Sequence, residues 1–534
     1  MGCAQEITTA WWHLNYNADF PTTVQDSWQE GWRMRGVCCA LVIAILVGRS
    51  GAQSPEEKAS GYLESVRHQP SLLLAFLEKM PKGGDLHVHL EGATYAESMI
   101  DWASENALCV DRSTSKLIRA ACDSCELYRP KPSIRCAYQD HVLYNQLVDA
   151  WSMRNWRREE ESGHDHFFGT FDKFLPAFDR HYGDAIAEVA SRAADNRLQY
   201  VELMHTADGM DSATLGAKTG WDEDFSKLRE KLLAGGLLDI VARTRTKLDQ
   251  DEAREKEILH CGTQKAAPGC KVTIHYLYQV LRGLQREQVF AQIVLAFELV
   301  KADPRFVGFN LVMPEDWYVP MHDFDLHMRM IEELRRVYPA THVSLHAGEL
   351  ALGLVPPEGL RFHIRESVER AGAERIGHGT SVMNESDPVA LLQELAKKKV
   401  LVEICLTSND VILGVSGDRH PLPVYMKYGV PVALATDDQG VSRSDLTHEY
   451  LRAAQTYDLK YSDLKRMARH SLEHSFIPGT SLWSDGDVHR VASCAEDKLP
   501  ATASGKCQEF LDSSERARVQ WQLEQAFAEF ERQF

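Results

Sequence analysis

The chain has 534 residues, 44% of them hydrophobic and 25% charged, with a formal net charge of -18 at neutral pH. Such a composition excludes wholesale disorder, and the negative balance, with no Lys/Arg stripe interleaved with aromatics, argues against nucleic acid as a partner. Length alone does not demand two domains, because a barrel with insertions can use about 400 residues or more as one unit.

At the N-terminus Arg33 and Arg35 precede the apolar run 37–47, followed by a short polar stretch with the small residues Ser50 and Ala52. This is the pattern of a secretory signal peptide. The apolar run is too short for a membrane anchor, which needs roughly 20 residues. Since n-regions are short, residues 1–33 read as a spurious or disordered extension ahead of a natural start at Met34. The expected organisation is a signal over 34–52, a helical segment over 53–79, a barrel over 80–490 with an insertion at 104–165, and a disulfide-bearing loop and closing helix over 491–534. The expected destination is secreted or periplasmic, with no membrane span after signal removal.

Cysteine usage agrees with an oxidising compartment. Cys261 with Cys270, and Cys494 with Cys507, are natural bridges by proximity in the chain. Cys109, Cys122, Cys125 and Cys136 are expected to form disulfides of open connectivity, because the Cys122-x-x-Cys125 pair has neither a second such pair nor a thioredoxin-like context. Cys405 is left over.

From residue 80 onward, eight short β-rich runs recur at 85–91, 198–205, 272–279, 307–313, 342–349, 375–379, 401–408 and 431–438. Amphipathic segments such as 324–336 and 389–398 lie between them with apolar residues at the 3.6-residue period. Strand and helix in eightfold alternation predict an α/β fold of the (β/α)8 TIM-barrel type. A doubly wound open sheet would be expected to show a glycine-rich phosphate turn after an early strand, and none is present. A closing helix is expected at 513–532.

Chemistry concentrates at the strand ends. In Asp85-Leu86-His87-Val88-His89-Leu90-Glu91-Gly92 the histidines are two apart on a strand, so both rings project from one face. The fifth run carries His346-Ala347-Gly348-Glu349, the sixth His378 and the eighth Asp437-Asp438. All lie at the C-terminal ends, where barrel active sites are built. Three imidazoles and a carboxylate without thiolate suit one zinc ion with a position left for water. The expected holders are His87, His89, His346 and Asp437. His166, His205, His275 and His420 read as structural histidines. A two-metal amidohydrolase would be expected to carry a bridging lysine in the fourth run, which has none.

The segments Met80-Pro81-Lys82 through Gly92, His346-Ala347-Gly348-Glu349, Arg375-Ile376-Gly377-His378-Gly379 and Thr436-Asp437-Asp438 resemble the adenosine deaminase family, in order over roughly 71–480. The signal and the cysteine-bearing insertion further resemble its extracellular, growth-factor-related subgroup. The resemblance implies zinc at His87, His89, His346 and Asp437. It implies Glu349 as the acid at purine N1, His378 as the residue orienting the attacking water, and Asp438 at N7 and the water. Gly308 is similar to the family glycine lying against N3, and Glu91 and Glu202 are candidate sugar contacts. The implied activity is hydrolytic deamination of adenosine and 2′-deoxyadenosine. Another 6-aminopurine derivative, or a binding or signalling role on a deaminase barrel, is the alternative. The expected partner is a small purine nucleoside and not a nucleic acid, and a homodimer is left open. Departures from the family pattern occur at 403–409 and at Met313-Pro314-Glu315-Asp316.

Overall fold

Every run of the eightfold alternation forms a strand. The computed structural model describes residues 53–126, 128–486 and 488–534, so the expected extension and signal lie outside the described residues. The strands are β1 Gly83–His89, β2 Cys109–Asp111, β3 Lys116–Ile118, β4 Leu198–His205, β5 Thr273–Leu281, β6 Phe306–Val312, β7 His342–Ala347, β8 Arg375–His378, β9 Leu401–Ile404 and β10 Val432–Leu434. Eight of them pair in the order β1-β4-β5-β6-β7-β8-β9-β10, each parallel to its neighbour. The ring closes where β10 runs out: Asp437 N–H donates to the His87 carbonyl at 2.8 Å and His89 N–H to the Asp437 carbonyl at 3.3 Å. Closure thus sets the Asp437 backbone directly against both histidines of β1. The (β/α)8 barrel is present as expected.

Helices Phe324–Val337 and Pro388–Lys398 form where the 3.6-residue period puts them. The N-terminal segment folds as Pro55–Val66 and Pro70–Lys79, the first started by a Ser54/Glu57 capping box that satisfies two free N–H groups reciprocally. The closing helix spans Glu515–Glu531. Two details differ from the sequence reading. The run at 401–408 leaves the sheet at Ile404, and Leu406–Leu413 is a helix, so its polar residues act from a helix at the barrel mouth. The insertion also contains the antiparallel hairpin β2–β3. Disulfides join Cys109 to Cys122, Cys125 to Cys136, Cys261 to Cys270 and Cys494 to Cys507, with Cys405 free and buried. Among the described residues no helix is long and apolar enough to cross a membrane.

The barrel interior is not wholly apolar. Arg375 on β8 donates from Nη2 to Glu202 Oε2 at 2.5 Å and from Nε to Glu403 Oε1 at 2.7 Å, with all three side chains fully buried. Glu202 also accepts from Tyr200 OH at 2.9 Å and from the Phe476 N–H at 2.6 Å. Charges removed from water persist only when paired and hydrogen-bonded, and here both carboxylates are. Arg375→Met, which leaves two buried carboxylates facing an apolar side chain, is expected to destabilise the fold by about 3–5 kcal/mol in urea unfolding.

Candidate active site

Four side chains converge above that layer. His87 and His89 end β1, His346 lies near the end of β7, and Asp437 follows β10. The Nε2 atoms of His87 and His346 are 3.0 Å apart, those of His89 and His346 3.3 Å, and Asp437 Oδ1 lies 3.5 Å from His87 Nε2 and 3.2 Å from His89 Nε2. A tetrahedral zinc with bonds of 2.0–2.1 Å has ligand–ligand edges of about 3.3 Å, so the four groups fit an ion of that size.

The outer nitrogens explain why the inner ones can serve as ligands. His87 Nδ1 meets Glu403 Oε2 at 2.6 Å, His89 Nδ1 meets Gln279 Oε1 at 2.7 Å and His346 Nδ1 meets Asn310 Oδ1 at 2.8 Å. Each ring gives its proton to an oxygen acceptor outside the cluster, which leaves a bare lone pair on Nε2. Three lone pairs and a carboxylate oxygen aimed at one point repel one another unless a cation lies between them. Gly377 makes room for this arrangement, because a Cβ there would stand 2.6 Å from His87 Cε1.

Glu349 and Asp438 line the same cavity as His89, His346 and Asp437. Burial first, and then the charges of Asp437 and Glu315, push the Glu349 carboxyl well above the usual carboxylate range, which favours its protonated form. His378 Nε2 lies 3.7 Å from Glu349 Oε1. Burial lowers the His378 pKa to about 3, with the nearby His87 and His89 acting in the same sense, so its ring is neutral. Asp438 Oδ1 is buried without a partner, in space that Gly92 provides, since a Cβ at Gly92 would overlap that oxygen at 1.6 Å. His378 and Asp437 adopt left-handed φ of +64° and +59°. Strain of this kind in non-glycine residues clusters where a site demands one orientation.

The cavity measures about 460 Å³. Gln279, Thr206, Glu91 and Asp172 join the carboxyl groups on its polar side, and Phe168, Phe171, Tyr182, Met313 and Trp317 form much of its apolar side. Among the described residues that line it there is no Lys or Arg. Glu91 reaches the cavity, its Oε1 held by His205 Nδ1 at 3.2 Å, with Tyr182 packed on the His205 ring at 4.6 Å. His205, read from sequence as structural, is the partner that fixes Glu91.

Two expected substrate contacts are corrected. Glu202 does not reach the cavity, because its carboxylate is committed to Arg375 and the Phe476 N–H on the barrel floor. Gly308 also lies deep, where a Cβ would press on the His342 carbonyl at 2.8 Å. Four residues of strand, about 13 Å, separate it from the mouth end of β6. Met313 occupies the mouth position instead, with φ +83°.

Glu315 was not singled out from sequence. It accepts the main-chain N–H groups of Gly348 at 3.0 Å and Glu349 at 2.8 Å and pairs with His363 Nδ1. Arg282 Nη1 grips the same peptide from its other polarity, donating to the His346 carbonyl at 3.1 Å. The four-residue stretch carrying both a metal-site histidine and the acid is thereby clamped on both sides. An acid in Met313-Pro314-Glu315-Asp316, directly after an apolar strand, was the available signal.

A family model described as adenosine deaminase matches residues 238–482, a span that holds His346, Glu349, His378, Asp437 and Asp438 but begins after His87 and His89. The chain is similar to an adenosine deaminase of Clostridium perfringens strain ATCC 13124, 30% identical over 181 residues, 34% of this chain and 51% of that protein. It is also similar to one of Escherichia coli strain SE11, 36% identical over 137 residues, 26% of this chain and 38% of that protein.

Over that matched stretch the chain is similar to the adenosine deaminase family.

The matched stretch spans about half of the Clostridium relative's length and less of the Escherichia relative's. A solved structure of Arabidopsis ADAL complexed with GMP is similar at a TM-score of 0.49 and 18% identity, over 76% of this chain and 94% of that one. The barrel carries its own pH signature in Glu315. Burial alone would raise its carboxyl, but His363, Arg282 and the Gly348 N–H hold it down to about 2. A carboxylate depressed below its unfolded value of about 4.3 adds stability that is complete above that pH and is lost as pH falls toward 2. Glu315→Gln is expected to lower the melting temperature at pH 7 and to flatten its fall between about pH 4.5 and pH 2, as read by calorimetry.

Proposed function

We propose that this chain is an exported, zinc-dependent hydrolase that converts adenosine and 2′-deoxyadenosine to the corresponding inosines and ammonia. The observation that carries the reading is the meeting of the His87/His89/His346/Asp437 quartet with a buried Glu349, its carboxyl pushed well above the usual range, at one cavity whose described lining holds no Lys or Arg.

Zinc held by the quartet would bring the pKa of a water down toward about 7 and so supply the nucleophile at neutral pH. Carbon C6 of an aminopurine is a poor electrophile until N1 is protonated, and Glu349 is an acid kept loaded for that transfer. As the water oxygen adds at C6, the Glu349 proton goes to N1. One proton of the water returns to Glu349 and the other passes to N6, so that the C6–N6 bond breaks, ammonia leaves and C6 remains as a carbonyl beside N1–H. His378, neutral and fixed near Glu349, orients the water. Asp438, whose carboxyl is pushed well above the usual range by burial and then by the charge of Asp437, would donate from its otherwise unpartnered oxygen to purine N7, and the aromatic side of the cavity receives the ring. Glu91, anchored by His205, is placed to take a sugar hydroxyl. The lack of Lys or Arg in the described lining favours a nucleoside over a nucleotide, because a phosphate would meet several carboxyl groups and no fixed positive side chain. Four disulfides support an oxidising destination.

Loss of ultraviolet absorbance on adenosine, 2′-deoxyadenosine, adenine and AMP tests this. Both nucleosides are expected to be turned over, with kcat/KM for AMP at least about 100-fold lower through like-charge repulsion. Glu349→Gln is expected to lower kcat by about 10²–10⁴. AMP as good a substrate as adenosine, or full activity without the acid, would contradict the proposal.

A further inference from the structure

His378 differs from the three metal-site histidines in what meets its outer nitrogen. Those three rings face oxygen acceptors at Nδ1. His378 Nδ1 faces the side-chain nitrogen of Asn409 at 2.9 Å. An amide NH2 only donates, so the His378 Nδ1 beside it is an acceptor and the ring proton belongs on Nε2.

The orientation of the Asn409 amide is itself decided one step further out. His420 Nε2 lies 3.0 Å from Asn409 Oδ1, and the main-chain N–H of Leu422 donates to His420 Nδ1 at 3.1 Å. A backbone N–H can neither flip nor accept. It therefore makes His420 Nδ1 the acceptor and puts the His420 proton on Nε2, where it donates to the Asn409 oxygen. With that oxygen taken, the amide has only its NH2 to offer His378. The opposite amide orientation would set two donors face to face at His420. Asn409 and His378 are fully buried and His420 nearly so, so water does not relax the choice.

We propose that His420 and Asn409 are positioning residues that fix His378 as its Nε2–H tautomer, so that the site presents a hydrogen-bond donor beside Glu349 and not a fourth imidazole lone pair. His378 Nε2 has no protein partner and faces Glu349 Oε1 at 3.7 Å. This explains why a fourth histidine can adjoin the metal quartet without joining it. It rests on the proposed function only in naming the attacking water as what the N–H orients.

The test uses the full chain as isolated, with metal content measured for every variant. Asn409→Asp replaces the NH2 with an oxygen and is expected to draw the ring proton to Nδ1. The nitrogen spectrum of ¹⁵N-histidine-labelled protein, with the His378 signals identified by their loss in His378→Gln, should then show the tautomer exchanged. kcat should fall by about 10–100-fold, with KM within about threefold of the parent and metal content unchanged. His420→Phe removes the donor one step further out and should give a mixture of tautomers with a smaller loss of kcat. It decides the matter if the aspartate variant does not fold. Because the relay acts through His378, adding Asn409→Asp to His378→Gln should cost nothing further. Retention of the Nε2 proton in Asn409→Asp, or losses that multiply in the double variant, would overturn the relay. Should the parent protein turn over no aminopurine nucleoside, the proposed function fails, while the nitrogen spectra still decide the tautomer.

Discussion

The carboxylate of Glu403 joins the two polar layers of the barrel interior. One oxygen accepts from Arg375 Nε and Ser344 Oγ, and the other takes the Nδ1 proton of His87. Although burial opposes its charge, Arg375 and His87 hold its pKa down to about 2, so it is an anion under all ordinary conditions. The ion network on the floor and the lone pairs above it are thus one construction. Without Arg375, Glu403 would be an uncompensated buried charge, and without Glu403 the His87 ring would lose the partner that fixes its tautomer.

The same logic recurs around the site, where the outer partner of each side chain decides what its inner end can do. Oxygen acceptors behind three histidines suit them to be ligands, and an amide nitrogen behind the fourth suits it to donate instead. Glu315 and Arg282 hold the His346–Glu349 peptide by its N–H and C=O groups, while burial pushes the Glu349 carboxyl upward. Left-handed backbone at Met313, His378 and Asp437 marks three strand ends where the chain is bent to aim a side chain or line the cavity. Strain of this order, about 1–3 kcal/mol each, persists only where the surroundings over-determine the conformation. The main-chain bonds of Asp437 to His87 and His89 supply that constraint there.

The eight barrel strands were readable because buried parallel strands are short apolar runs, bounded by turns and separated by helices of a different period. The grouping of His87, His89, His346 and Asp437 was readable because side-chain parity and the C-terminal ends of strands are properties of the sequence. Depth along a strand is not. Glu202 and Gly308 have the right parity but stand toward the floor, and nothing local separates floor from mouth. The relay was hidden for another reason. Asn409 and His420 are 31 and 42 residues from His378 in the chain, and reading 401–408 as one strand concealed the helix that turns Asn409 inward. The β2–β3 hairpin was missed because three-residue strands leave no periodic pattern.

The central claim is that one zinc ion at the four-residue cluster, used together with Glu349, makes this barrel a deaminase. Titrating zinc into chelator-stripped protein while following adenosine deamination tests it most directly. The account predicts activity that rises linearly from zero and levels off at one ion per chain. Full activity in the stripped protein, or a plateau reached only at two ions per chain, would contradict it.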